Sequence, residues 1–361
     1  MTGDRMKSKV FFTDMKGSPG SGMLVKTERL FDAAGYSDLF KKRELVAVKI
    51  HFGERGNTAF IPPIYARRVV DRIKTAGARP FLTDANTLYV GGRSNAASHI
   101  VTALTNGFSY ATVNAPVIIA DGLTGKEYVE VDVGLEHFAS VRIAGAAAHA
   151  DGIMALSHFK GHEMTGFGGA IKNIGMGLGC RSGKQQMHAD VKPKVDPAIC
   201  IGCGKCSRWC QPGAIKVVGE RAQIDLSLCQ GCGECIVTCP QQAIAVDWGT
   251  DTKLMQEKIA EYAFGALAGK EGKVGFINFI MNITPDCDCW GYSDAALMPD
   301  VGIAASTDPV ALDQASIDLV NEVAGRDVFK ETHKNVDWSV QLAHAEKIGL
   351  GHRDYELVKV G

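Results

Sequence analysis

From Leu45 to His51 apolar and polar residues alternate. Val46, Val48 and Ile50 fall on one face and Lys49 and His51 on the other, the two-residue period of a strand. Residues 8–14 (SKVFFTD) read as a short strand, followed by a Gly/Ser/Pro loop and a helix from about Leu24 to Ala34. Pro62-Pro63 opens a helix that runs to about Thr75, and Gly77 ends it. Strands are expected at 79–84, near Val117–Ala120 and at Tyr128–Val133, with a helix from Asn95 to Thr105. Later come strands at 153–158, 274–280, 300–306 and 355–359, and helices at 252–268, 308–320 and 339–347. The alternation of strand and helix predicts an α/β host, mainly parallel sheets covered by helices, arranged in two lobes.

In such folds ligands gather outside the carboxyl ends of the strands. Lys49, His51, Asp84 and Asn86 stand at those ends. Read blandly, Asp84 and Asn86 cap a turn and His51 is an ordinary loop histidine. The stretch His158–Cys180 is richer, with seven glycines from Gly161 to Gly179. If it begins extended, His158, Lys160 and His162 point the same way. Gly168 and Gly169 then bring bare backbone to the start of a short helix carrying Lys172, an arrangement suited to a carboxylate or phosphate. The glycines could instead mark tight packing. After Cys180, residues 181–188 are polar, end in His188 and show neither helix nor strand periodicity.

Composition narrows the field. The chain has 361 residues, enough for two or three domains, with 46% hydrophobic and 22% charged residues. A formal net charge of −1 gives no basic field for nucleic acid or an anionic membrane surface. No run of 18 apolar residues occurs and the N-terminus lacks an apolar signal segment, so a cytoplasmic location with no membrane partner is expected. Eleven cysteines in that compartment point to metal or redox chemistry rather than disulfides.

Eight of the eleven fall in one stretch, from Cys200 to Cys239. The spacing C-x2-C-x2-C-x3-C occurs twice, at Cys200, Cys203, Cys206, Cys210 and at Cys229, Cys232, Cys235, Cys239, offset by 29 residues. The same offset relates Asp196 to Asp225, Gly202 to Gly231 and Ala214-Ile215 to Ala243-Ile244. Each run supplies four thiolates, the number a 4Fe–4S cluster needs. Paired zinc knuckles use separated C-x2-C pairs instead. The segment resembles a bacterial two-cluster ferredoxin, in which the fourth cysteine of one run serves the other cluster. That wiring assigns Cys200, Cys203, Cys206 and Cys239 to one cluster, and Cys229, Cys232, Cys235 and Cys210 to the second. Glycines between the cysteines allow the tight backbone that aims N–H groups at sulfur.

The organisation expected is therefore a host at 1–190 and 249–361, with a ferredoxin-like module inserted at 191–248. Cys180, Cys287 and Cys289 lie outside the repeat. Three roles stand open for them: a third cluster or metal together with a histidine, a redox pair or substrate contact, or packing thiols. Asp313, on the helix that Asp308-Pro309 opens, is expected near the same cleft.

The combination of SHFKGHEMTGFGGAIKNIGMGLGCRSGKQQMH, the two cysteine runs, DCDCW and STDPVALDQAS resembles the iron–sulfur centre proteins that carry domain of unknown function 362. The resemblance covers nearly the whole chain. It implies an α/β host with an inserted two-cluster module, usual in anaerobes, and implies no settled reaction. His158, Gly161, Gly166, Gly168-Gly169 and Lys172 are also similar to a loop of the lactate racemase family. There the loop borders a two-domain cleft that binds a nickel-pincer nucleotide and a 2-hydroxy acid. Racemases lack the cysteine runs and the Cys287-x-Cys289 pair, so nickel is not carried over.

The function expected is an iron–sulfur oxidoreductase. Two clusters pass electrons between an external donor or acceptor protein and an anionic small molecule. Its catalytic residues are expected among His158, Lys160, His162, Cys180, Cys287 and Cys289, and its ligand contacts among Lys49, His51, Asp84, Gly168, Gly169, Lys172 and His188. The alternatives are a non-enzymatic electron carrier and a hydroxy-acid isomerase-like host with structural or sensing clusters. No motif announces a flavin.

Overall fold

The computed structural model describes residues 7–188, 193–210, 212–229, 233–245 and 251–361. Strands from both halves of the host meet in one eight-stranded sheet. Its order is Val117–Ile119, Arg79–Asp84, Leu45–Ile50, Gly152–His158, Val274–Ile280, Gly302–Ser306, Ser8–Asp14 and Tyr355–Lys359. Only Gly302–Ser306 runs against its neighbours. The expectation of two lobes is corrected, because Gly152–His158 and Val274–Ile280 pair directly in parallel with Leu156 opposite Ile277. Both are nearly continuous apolar runs, as central parallel strands covered on both faces must be.

Side-chain alternation divides the core in two. Met154, Leu156, Ile277 and Phe279 pack with Val46 and Val48 against Leu30, Phe31, Val69 and Ile73 from the helices Met23–Ala33 and Pro63–Thr75. Ile153, Ala155, Phe276 and Ile280 face the other way, toward Ile171, Ile174, Ile259 and Leu312. Those four come from the helices Ala170–Leu178, Thr252–Leu267 and Pro309–Ala324. Lys49 and Asn278 lie on this second face, between apolar neighbours, and reach the helices.

Two further expectations change. Tyr128–Asp132 does not join the sheet; it forms an antiparallel ribbon with Ser140–Ala144, which suits its alternation of exposed and half-buried residues. Residues 181–188 form a helix, although no apolar stripe marks it. Its polar residues are themselves buried, Arg181, Ser182, Lys184, Gln185 and His188 among them, so burial and polarity part company there.

Within the cysteine segment Lys194–Val195 pairs antiparallel with Ile244–Ala245, so its two ends meet. Between them lie a hairpin, Ile215–Val218 with Arg221–Ile224, and the short helices Lys205–Trp209 and Glu234–Thr238. The expected boundaries near Val191 and Trp248 lie outside the described residues, as does Cys232. Among the described residues no helix is long and apolar enough to cross a membrane.

Candidate functional site

A cavity of about 640 Å³ opens at the carboxyl ends of the central strands. Lys49, next to last in its strand, is fully buried and meets Asp84 at 3.0 Å and Asn173 at 2.8 Å. Burial lowers the Lys49 pKa to about 8, although Asp84 pulls it upward. Burial acts on Asp84 in the opposite sense, but Lys49 and Arg93 outweigh it and hold the carboxyl below its ordinary range. Arg93 bridges Asp84 at 3.4 Å and Glu54 at 3.3 Å and donates to the Tyr89 hydroxyl at 2.5 Å. That hydroxyl donates to the Cys289 carbonyl at 3.0 Å, which ties this wall to the opposite loop. His51 Nδ1 accepts from the Gly53 amide at 3.0 Å, and burial together with Arg93 keeps the ring well below its usual pKa. His51 is therefore neutral, with its hydrogen on Nε2.

The glycine-rich stretch turns back as a small hairpin, Lys160–His162 against Gly166–Gly168. Gly161 lies so close to the next loop that a Cβ would stand 2.2 Å from the Pro285 carbonyl oxygen. Both nitrogens of His158 are committed to acceptors: Nδ1 to Asp288 at 2.9 Å, and Nε2 to the carbonyls of Met281 and Asn282 at 3.0 and 3.1 Å. Lys160 takes the second Asp288 oxygen at 3.1 Å. Burial of Asp288 opposes its ionisation, yet His158 and Lys160 outweigh that and hold it ionised. A buried carboxylate between a histidine and a lysine thus fixes the backbone that carries Cys287 and Cys289.

Cys287 and Lys172 meet across the cavity, with Lys172 Nζ donating to Sγ at 3.4 Å. A hydrogen bond from Cys289, aided by Lys172 and His162, carries the Cys287 thiol well below its ordinary pKa against the cost of burial. Cys289, which gives that bond and is half-buried, moves well above. His162 Nδ1 accepts from the Met164 amide at 3.1 Å, so its donor toward Cys287 is Nε2. Lys172 is half-buried, and desolvation disfavours its charge, but Cys287 and Glu163 raise its pKa all the same. Together these groups form a thiolate with three donors around it, facing the cavity.

The start of helix Ala170–Leu178 differs from the expected anion site. The Ala170 and Ile171 amides donate to Asp313 at 2.7 and 2.9 Å, so a carboxylate of the chain itself takes the place of a ligand. Gly169 permits this approach, since a Cβ would lie 2.3 Å from Asp313 Oδ1. Burial pushes the Asp313 pKa up to about 6 despite donors from Asn278, Ile171 and Ala170. Asp313 does not line the cavity; it lies beneath the helix that does.

Lys49, His51, Asp84, His158, Lys160, His162, Gly168, Gly169, Lys172, His188, Cys287 and Cys289 all line this one cavity. Cys180 does not, which corrects its expected place at the site. It is buried beside Ser182 at 3.2 Å, and burial raises its thiol pKa. Among the described residues no metal-sized group gathers Cys180, Cys287, Cys289 and a histidine. Asn86 also turns away, to Asp121 and the Gly122 carbonyl. Glu54, Tyr89, Arg93 and Lys184, absent from the expected site residues, line the wall as well. The signal available for Arg93 was Gly91-Gly92-Arg93 in the loop after a strand end. With Lys49, Arg93, Lys160, Lys172 and Lys184 against Glu54, Asp84 and Glu163, cations outnumber carboxylates on the wall.

Two smaller hollows lie in the cysteine segment. Cys200, Cys203, Cys206 and Cys239 line one, with Gly202 and Gly204 beside them. Cys210, Cys229 and Cys235 line the other. The amides of Ala222 and Ala243 point at the sulfurs of Cys200 and Cys239 at 3.4 and 3.3 Å. Among the described residues no three cysteine sulfurs gather within 4.8 Å of one another. A tetrahedral zinc with bonds near 2.3 Å would hold its sulfurs about 3.8 Å apart. Leu88, on the wall of the large cavity, belongs to the apolar core of this segment with Cys206, Cys235 and Ile236. Glu234 meets the buried Arg181 at 3.5 Å, and Arg181 also bonds the carbonyls of Thr87 and Ser94 in the host.

The fold and site define a mixed α/β protein, built on a mostly parallel sheet, with a polar cavity at the strand ends. The family model for the domain of unknown function DUF362 matches residues 46–318, and the chain belongs to that family. No curated protein matches it. Among solved structures it is similar to the lactate racemase apoprotein from Thermoanaerobacterium thermosaccharolyticum, at 12% sequence identity and a TM-score of 0.40. The match covers 90% of this chain and 59% of that one, so the chain spans about three-fifths of the racemase.

Proposed function

We propose that the chain is an iron–sulfur oxidoreductase that binds a small anionic molecule in the large cavity and changes its oxidation state. Cys200, Cys203, Cys206 and Cys239 would hold one 4Fe–4S cluster, and Cys229, Cys232, Cys235 and Cys210 the other. Seven of the eight cysteines are described, and they divide between two hollows in that same grouping. No three of the described sulfurs lie within 4.8 Å of one another, and amides point at two of them. When bound, such clusters supply single electrons from an external donor protein. Cys203 is exposed, with Ile201 at 61% and Trp209 at 54% exposure nearby, a face suited to that partner.

The observation that carries the reading is Leu88, one buried side chain shared by the core of the cysteine segment and the wall of the cavity. A carrier that only docks partners would need no 640 Å³ cavity behind that wall. Within it, Lys172 and the excess of cations bind the anion, His162 Nε2 is placed to move a proton, and the Cys287 thiolate contacts the substrate.

The test is anaerobic stopped-flow reoxidation of reduced protein by a panel of small carboxylate acceptors. The reading expects at least one acceptor with saturable kinetics, weakened about tenfold or more in Lys172→Ala at unchanged iron content. Loss of iron in that variant, or no saturable acceptor, would sink it.

A further inference from the structure

A second polar cluster lies apart from both the cavity and the cysteines. His137 sits in the loop of the Tyr128–Asp132 and Ser140–Ala144 ribbon, Glu257 and Glu261 lie one turn apart on Thr252–Leu267, and His344 lies on Ser339–Lys347. None of the four lines the cavity. One ring nitrogen of each histidine and one oxygen of Glu257 lie within 4.8 Å of one another, and among the described residues no other such group occurs.

The surroundings hold these side chains in place. His137 Nε2 meets Glu257 at 3.0 Å, and His344 Nε2 meets Glu261 at 3.1 Å. Glu261, whose side chain has no exposure, also accepts the backbone amides of His137 and Phe138 at 3.1 and 3.0 Å. It therefore fixes both the loop that presents His137 and the ring of His344, the task that outer carboxylates perform around metal-ligating histidines. The side chains of His137 and Glu257 keep 15% and 19% exposure, which leaves the group open to solvent on one side.

Two separate His–Glu pairs would hold the ribbon to the helices without bringing both rings to one spot. Here the rings converge, with centroids 5.5 Å apart. Neighbouring donors on a tetrahedral zinc are about 3.3 Å apart, given bonds of roughly 2.0–2.1 Å, and the His137–Glu257 separation is close to that. Two carboxylates at i and i+4 repel each other, and a dication would offset that repulsion. Imidazole nitrogen with one carboxylate selects a zinc-class ion over calcium or magnesium. We infer that His137, Glu257 and His344 form a zinc-class divalent metal site that ties the ribbon to the two helices.

The experiment uses cluster-loaded protein purified anaerobically, cleared of loose metal with a mild chelator and given one equivalent of Zn(II). Zinc and iron per chain are measured after gel filtration, and zinc K-edge absorption reads the ligand shell. The expected result is about one zinc with nitrogen and oxygen near 2.0–2.1 Å and no sulfur shell. His137→Ala and Glu257→Gln should weaken zinc binding at least about tenfold, the scale that loss of even an outer-shell partner reaches, with iron unchanged. Both side chains are partly exposed, and circular dichroism checks the fold of each variant. No retained zinc, a sulfur shell, or unchanged retention in folded variants overturns the inference.

Discussion

Asp313 gives the sharpest physical prediction, because two effects compete at one carboxyl. Two helix amides and the Asn278 side chain donate to it within 2.9 Å, which favours the charged form. It is also fully buried, which favours the neutral form, and burial wins, moving the pKa from 3.8 to about 6. A shift of about 2 units at 1.36 kcal/mol each makes ionisation cost the folded state about 3 kcal/mol. The folded-state pKa is raised, so this contribution is fully present below about pH 4 and is lost as pH rises through about 6. Asp313→Asn keeps the size and cannot ionise, but it offers one acceptor oxygen where two amides need partners. Leaving a buried donor unpaired costs about 1–3 kcal/mol. The variant should therefore be less stable than the parent near pH 4 and gain on it by about 2 kcal/mol by pH 8. Difference infrared spectra, parent minus variant, should show one protonated carboxyl at pH 5 that vanishes with a midpoint near 6. A carboxyl already ionised at pH 4.5 would mean that the donors outweigh burial, and would refute the reasoning.

Three further outcomes are expected. Lys172→Ala removes a donor 3.4 Å from the Cys287 sulfur, so alkylation of Cys287 at neutral pH should slow about tenfold or more; an unchanged pH–rate profile would deny the thiolate its partner. His99 and His188, both lowered to about 3 by burial, stay neutral in the folded protein. Their contribution is fully present above about pH 6.5 and is lost as pH falls toward 3, about 2 kcal/mol each by pH 5, so the denaturant midpoint should fall further between pH 7 and pH 5 in the parent than in His99→Phe; equal pH slopes would contradict this. Glu234→Ala removes a carboxylate that meets the buried Arg181 across the boundary of the cysteine segment, and should speed proteolysis of that segment while a host fragment persists. Uniform digestion of the whole chain would show that this pair does not dock the segment.

What could be read in the sequence follows the physics. The strand Leu45–Ile50 was visible because its two faces differ, and Gly152–His158 because nothing polar interrupts it before its end. The cysteine spacing spoke for itself, being local. Residues 181–188 were not legible as a helix, since periodicity marks an apolar face and this helix buries polar ones. The Ala170 and Ile171 amides looked free for a ligand because the residue that occupies them, Asp313, lies 143 and 142 positions away. Arg93 and Glu54 escaped for the same reason, as each earns its place through a long-range partner. Cys180 was misplaced because its chemistry was inferred from residue type alone; its full burial, with its amide on the Arg142 carbonyl, is a tertiary fact.

The most direct test of the central claim is iron and acid-labile sulfide per chain on anaerobically purified protein, with EPR of the reduced form. The account predicts about eight irons, eight sulfides and the spectrum of two interacting 4Fe–4S clusters. Zinc in place of iron on the cysteine runs would contradict it.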